Sequence, residues 1–184
     1  MLSAIRFSAL LLCLIFCMAS CKKEDSSPFP TPLPAATQVG ANTFGCRING
    51  KTWIPDGGGG FSGIKPIEGG YLYTKKNIYI NTYRRDKTKI EIYLPNTVQT
   101  GTYELNNNTG LVDVDLNPKR YAFYKDADDN YYITNSQYTG QITITQNDTV
   151  RGIISGTFNF TAYSPNSKQT IRITDGRFDI ESRR

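Results

Sequence analysis

From about residue 43 to the end, apolar and polar residues alternate with a period of two, in short runs that stop at Asn-Gly, Asp-Gly or similar turn-forming residues. Side chains with that period point to opposite faces of an extended chain, so each run can bury one face and wet the other. No stretch carries a helical period of convincing length. Phe44, Cys46 and Ile48 share a face, and Asn49-Gly50 is the dipeptide that a two-residue hairpin turn prefers. That turn sets Trp53 across from Cys46 and makes the two core neighbours. Ile78 and Ile80 oppose Ile90, Ile92 and Leu94 in a hairpin with Arg84-Arg85-Asp86-Lys87 at its tip, and Tyr79, Tyr83 and Tyr93 point the other way. Ile142 and Ile144, then Ile154, Phe158, Phe160 and Ala162, repeat the pattern. Near the end, Ile171 and Ile173 are followed by a turn at Asp175-Gly176, which would bring Phe178 and Ile180 back as cross-strand partners. Gly57 to Gly60 and Gly69-Gly70 bracket a loop before strands at 71–74 and 78–83. A glycine-rich loop cradles phosphate when it opens a helix, and none follows here. Roughly nine or ten strands result, which fits a single antiparallel all-β domain, a β-sandwich or a flattened β-barrel.

The first forty residues have a different character. Arg6 precedes an apolar run from Phe7 to Met18, and small residues Ala19 and Ser20 follow, which is the order of a secretory signal peptide. The run is shorter than the roughly 20 residues that span a bilayer, and Lys22-Lys23-Glu24-Asp25 comes directly after it. Met18-Ala19-Ser20-Cys21 resembles a lipobox, which implies cleavage between Ser20 and Cys21 and lipid on the Cys21 sulfur. Two or more acyl chains such as palmitate, at about 0.8 kcal/mol per buried methylene, make a lasting anchor. The lysine and acid run resembles the signal that sends Bacteroidota lipoproteins to the outer face of the outer membrane. Four prolines at 28, 30, 32 and 34 then make a semi-extended spacer. The expected organisation is signal peptide over 1–20, lipidated cysteine and linker over 21–40, and one all-β domain over 41–184.

Composition excludes several chemistries. The chain has no histidine, which removes Ser-His-Asp and Cys-His nucleophile systems, histidine zinc sites and imidazole acid/base work. Of four cysteines, Cys13 and Cys17 leave with the signal peptide and Cys21 carries lipid, so Cys46 remains alone and no disulfide forms within the mature chain. Loss of Arg6 leaves 20 basic against 16 acidic residues, a net +4, too dispersed for a nucleic-acid stripe. No cofactor is expected.

Tyr79, Tyr83 and Tyr93, beside Asn81, Arg84 and Lys89, form a candidate ligand surface on which sugar rings could stack while their hydroxyls bond the polar groups, although tyrosine is also a good strand residue, and rings packed across the sheet with wet hydroxyls are the better reading. Asp126, Asp128 and Asn130 resemble the opening of a calcium loop. Tyr131 stands where the loop needs glycine and Gln137 where it needs a bidentate glutamate, so an acidic hairpin tip is the better reading. Asp113 and Asp115 share a strand face and could complete an improvised site, and ordinary solvated edge charges explain them as well. Glu91, Glu104 and Asp113 show no spacing that selects a glycosidase pair. Asp148-Thr149-Val150 resembles the O-glycosylation acceptor of Bacteroidota envelope proteins, which makes Thr149 a candidate modification site.

The lipobox, the runs Asn42 to Cys46, Ile48 to Lys51 and Trp53 to Pro55, and the later runs Ile154 to Phe158, Phe160 to Ala162 and Ile173 to Asp179 together resemble an uncharacterised family of small Bacteroidota lipoproteins, described as a domain of unknown function. The resemblance implies one domain in the cell envelope and carries over no site residue. The expectation is a membrane-anchored, non-enzymatic lipoprotein of the outer membrane that binds a glycan, a peptide or an envelope protein. The alternatives are a lipocalin-like carrier of a small apolar ligand and a carboxylate-based glycan hydrolase.

Overall fold

The computed structural model describes residues 31–58, 63–72, 76–97, 99–108 and 119–182. The expected signal segment, Cys21, the charged run 22–25, part of the 71–74 strand, Asp113 and Asp115 lie outside the described residues. Every element is a strand: β1 (Thr43–Ile48), β2 (Lys51–Trp53), β3 (Ile67–Leu72), β4 (Asn77–Tyr83), β5 (Lys89–Leu94), β6 (Gly101–Leu105), β7 (Tyr121–Lys125), β8 (Tyr131–Ile133), β9 (Gly140–Asp148), β10 (Ile153–Ser164) and β11 (Gln169–Glu181). That is eleven among the described residues, against the nine or ten expected. β2 and β8 are each only three residues long.

All pairings are antiparallel, in the order β2-β1-β11-β10-β8-β7-β5-β4-β3. The sheet forks at β10: Ile153 to Phe160 pair with β9, which in turn holds β6, and Tyr163 pairs with Ile133 of β8. It also curls. The far edge returns to β11, where the Tyr71 N–H donates to Ser182 Oγ at 3.4 Å and a Cβ on Gly69 would sit 3.4 Å from Ile180 Cδ1. The described residues are therefore all-β, a curled sheet whose inner face encloses one core.

That core follows the alternation. Cys46 pairs with Trp53 across the Asn49-Gly50 turn, where both residues have positive φ (48° and 82°), as a type I′ turn requires. Ile78, Ile80, Ile90, Ile92 and Leu94 are buried to the last atom, in the register Ile78 with Leu94 and Ile80 with Ile92. Ile142, Ile144, Ile154, Phe158, Phe160 and Ala162 join them. Phe44 packs on Trp53 edge-on at 5.9 Å and on Phe158 at 5.1 Å, so the two ends of the chain share one aromatic centre. Trp53 Nε1 donates to Thr88 Oγ1 at 2.9 Å, which satisfies the one polar atom of the indole inside the core.

Two local expectations are corrected. Asp175-Gly176 does not turn the chain; it lies inside the continuous thirteen-residue β11, and Phe178 and Ile180 extend the same strand as Ile173. Asp175 has φ 54°, and the register slips on both sides: Cys46 of β1 and Asn159 of β10 each face two residues of β11. The dipeptide makes a β-bulge, which uses the same left-handed conformation that a turn would. Likewise Gly69-Gly70 is inside β3 and not in a loop. A side chain there would meet the Tyr79 carbonyl, 2.9 Å from a Cβ on Gly69, or run into Ser182 from Gly70.

The compact unit begins at Thr31, ten residues before the expected domain start. Residues 31–34 run over the outer side of β1, where Thr52 Oγ1 donates to the Thr31 carbonyl and Pro34 covers Gly45. Residues 37–41 close around Asp179. Thr37 Oγ1 and the N–H groups of Val39, Gly40 and Ala41 donate to its carboxylate at 2.6 to 3.1 Å, and Ser155 Oγ does so at 2.7 Å.

Candidate functional site

Strands β4, β5, β7 and β8 lie side by side, and the residues that alternation turns away from the core line up in rungs across them. One rung reads Tyr83, Lys89, Lys125, Tyr131, each directly paired with the next. The rung beside it reads Asn81, Glu91, Phe123, Ile133, and the third Tyr79, Tyr93, Tyr121.

Over the first rung the outer face forms a groove of about 640 Å³, a size that suits a small ligand. Gly58 and Ile64 wall one side, and the β4–β5 hairpin tip closes an end with Arg84, Arg85 and Lys87. Lys89 is held at its centre. Its Nζ lies 2.9 Å from Glu91 Oε2 and 5.2 Å from the ring centres of both Tyr83 and Phe123. Glu91 is itself buried on this outer face, and it also accepts from Tyr79 OH at 3.0 Å and Tyr121 OH at 2.5 Å. Burial, with Glu91 beside it, raises the Tyr79 phenol well above its usual range, so it stays a donor. Lys125 bonds Asp129 Oδ1 at 2.6 Å, and Tyr131 is 37% exposed at the outer end of the rung.

Of the expected ligand surface, Tyr79, Asn81, Tyr83, Lys89 and Tyr93 do share one face, with Arg84 at its end. They do not form an exposed stripe. Asn81 and Tyr93 are buried, Tyr93 packs on Tyr121 at 5.7 Å, and Asn81 Nδ2 donates to Tyr83 OH. The reason is crowding: β7 adds Tyr121 and Phe123 beside them, so only Tyr83, Arg84 and Lys89 of the expected set reach the groove. Phe123, Lys125 and Tyr131 complete it and are not assigned to this surface by the sequence. The residues between β5 and β7 hide that partnership from any local pattern.

The acidic run is the β7–β8 tip. Asp126 accepts from the Asp128 and Asn130 N–H groups, from Asn130 Nδ2 and from Tyr132 OH, so its oxygens organise the turn. No group of three or more acidic or cysteine ligands that could hold a metal occurs among the described residues. Cys46 is fully buried, and burial pushes its thiol far up, away from nucleophilic use. Thr149 sits in the β9–β10 turn, half-buried beside exposed Val150; Asp148 orders that turn through the Val150 and Arg151 N–H groups. A separate cleft of about 390 Å³ between β3 and β11 is lined by Glu68, Glu181 and Lys65. No helix among the described residues is long and apolar enough to cross a membrane.

Comparison with curated proteins and with solved structures gives no match. A protein family matches residues 70–179, from within β3 to Asp179. The match takes in β4 to β10, and with them every strand residue of the groove, and leaves β1 and β2 outside. Since it spans more than half of the chain, the protein belongs to the family described as domain of unknown function (DUF6252).

Proposed function

We propose that this protein is a lipid-anchored envelope lipoprotein of the Bacteroidota type, whose β-domain is a non-enzymatic binding module for saccharides. The groove over Tyr83, Lys89, Lys125 and Tyr131 carries this reading. Two accessible ring edges flank fixed charged donors and acceptors, which is the combination that sugar rings and their hydroxyls require. The filled interior favours it over an apolar carrier, because Phe44, Phe160, Phe178 and nine aliphatic side chains occupy the space a carried ligand would need. A hydrolase finds little in Glu91, whose carboxylate is committed to Lys89, Tyr79 and Tyr121. Met18 to Cys21 and the proline spacer support the anchor, with the domain held off the outer membrane.

One preparation tests both halves. The mature protein, purified in mild detergent from cells fed an alkyne palmitate analogue, should carry label that a Cys21→Ser variant lacks, and should retain oligosaccharides on a glycan array. Tyr131→Ala should reduce that binding about tenfold. Unlabelled protein would remove the anchor; array binding that ignores Tyr131→Ala and Tyr83→Ala alike would remove the groove.

A further inference from the structure

Lys89 and Lys125 are direct cross-strand partners. Like charges in that position repel, and each lysine is held there by an acid of its own, Glu91 or Asp129, so that two cations stand side by side on the groove. From this rung we infer that the groove selects acidic saccharides, with a sugar carboxylate or sulfate seated between the two ammonium groups and its ring against Tyr131 or Tyr83. The inference rests on the saccharide reading above and narrows it to a substrate class.

Both lysines have acids of their own, and the nature of those pairs favours exchange. Asp129 is an exposed turn residue with a side chain 66% accessible, so its bond to Lys125 is a surface pair of little net worth. A ligand anion replaces it cheaply. Glu91 retains the Tyr79 and Tyr121 hydroxyls as donors, so Lys89 can lean toward a ligand without leaving a buried carboxylate bare. Arg84 and Arg85 at the hairpin tip are tied to Asp86 at 3.4 Å and Asp56 at 3.9 Å, and with Lys87 they keep the mouth of the groove cationic. Both lysine side chains are about one-fifth exposed, which keeps their heads on the groove and limits screening by water. A carboxylate between two ammonium groups gains two charge-assisted hydrogen bonds, whereas a neutral sugar offers only the weaker neutral kind.

The test uses the mature protein and tetramers of galacturonate, mannuronate and hyaluronan, a chondroitin sulfate tetramer, and the methyl esters of the uronates, which keep the rings and lose the charge. At least one acidic oligomer should bind about tenfold tighter than its ester, and the preference should shrink with added salt. Lys125→Gln should abolish the preference without lowering the melting temperature, since it also removes the like-charge pair. Equal binding of acid and ester, both lost in Tyr131→Ala, would overturn the acidic selectivity and leave the saccharide groove standing. Failure of every oligomer, acidic or neutral, would overturn both.

Discussion

At the scale of single residues, Asp179 carries the heaviest duty. It is fully buried on the outer side of β11, under residues 37–41. Burial alone would push its carboxyl up; donation from Thr37 and Ser155 and from the Val39 and Ala41 N–H groups outweighs that and holds it down at about 2. The ordinary value is 3.8, so the folded state binds this proton more weakly than the unfolded chain. The stability it contributes, about 2 kcal/mol, is present above pH ~4 and is lost as pH falls toward 2. Asp179→Asn should therefore lower unfolding stability by about 2 to 3 kcal/mol at neutral pH and flatten the acid limb of the stability curve between pH ~4 and 2. Urea titrations at several pH values read both effects; an unchanged acid limb would show that the carboxylate is not the clamp. Nothing in the sequence near Asp179 marks it, because Ser155 donates from 24 positions earlier and the other donors from about 140. A lone Asp in an alternating run looks like any solvent-facing strand residue.

Strands show which parts of the fold were readable and why. The β1–β2 and β4–β5 hairpins were legible because turn chemistry and alternation sit within a few residues of each other. At Asp175-Gly176 the same turn chemistry misled, since a bulge and a turn share a left-handed residue followed by glycine, and only the neighbouring strands decide between them. Gly176 here lies under Phe158: a Cβ would stand 2.5 Å from the Phe158 carbonyl oxygen and equally close to its ring. Gly176→Ala should cost about 3 kcal/mol of stability, as overpacking with backbone movement does, whereas Gly50→Ala in the open hairpin turn should cost about 1 kcal/mol through its positive φ. A chemical denaturation series would reverse the interpretation if the turn variant proved the weaker of the two. The groove was half legible for a related reason. Alternation placed Tyr83 and Lys89 on one outward face, but β5 meets β7 only after a long excursion, so Phe123, Lys125 and Tyr131 could not be assigned to the same rungs.

For the molecule as a whole, the curled sheet separates two tasks. Its inner face is filled by aliphatic and aromatic side chains from both ends of the described chain, and this packing holds the fold with no disulfide among the described residues. The outer face of β4, β5, β7 and β8 presents charged and aromatic groups in fixed rungs on rigid strands, a preset geometry for the proposed ligand. Residues 31–41 pack across β1 and β11, strands on the other side of the β10 fork from the groove strands, so the chain leading back toward the proposed anchor is fixed to the domain by its own contacts. The claim that ties these parts together is that ligands meet the outer rungs and not the interior. Backbone amide shifts of the purified protein, followed by NMR as an array-positive oligosaccharide is added, test it most directly. The largest changes should cluster at Tyr83, Lys89, Lys125 and Tyr131. Changes centred instead on core positions such as Ile80 and Ile92, or on the Glu68 and Glu181 cleft, would contradict it.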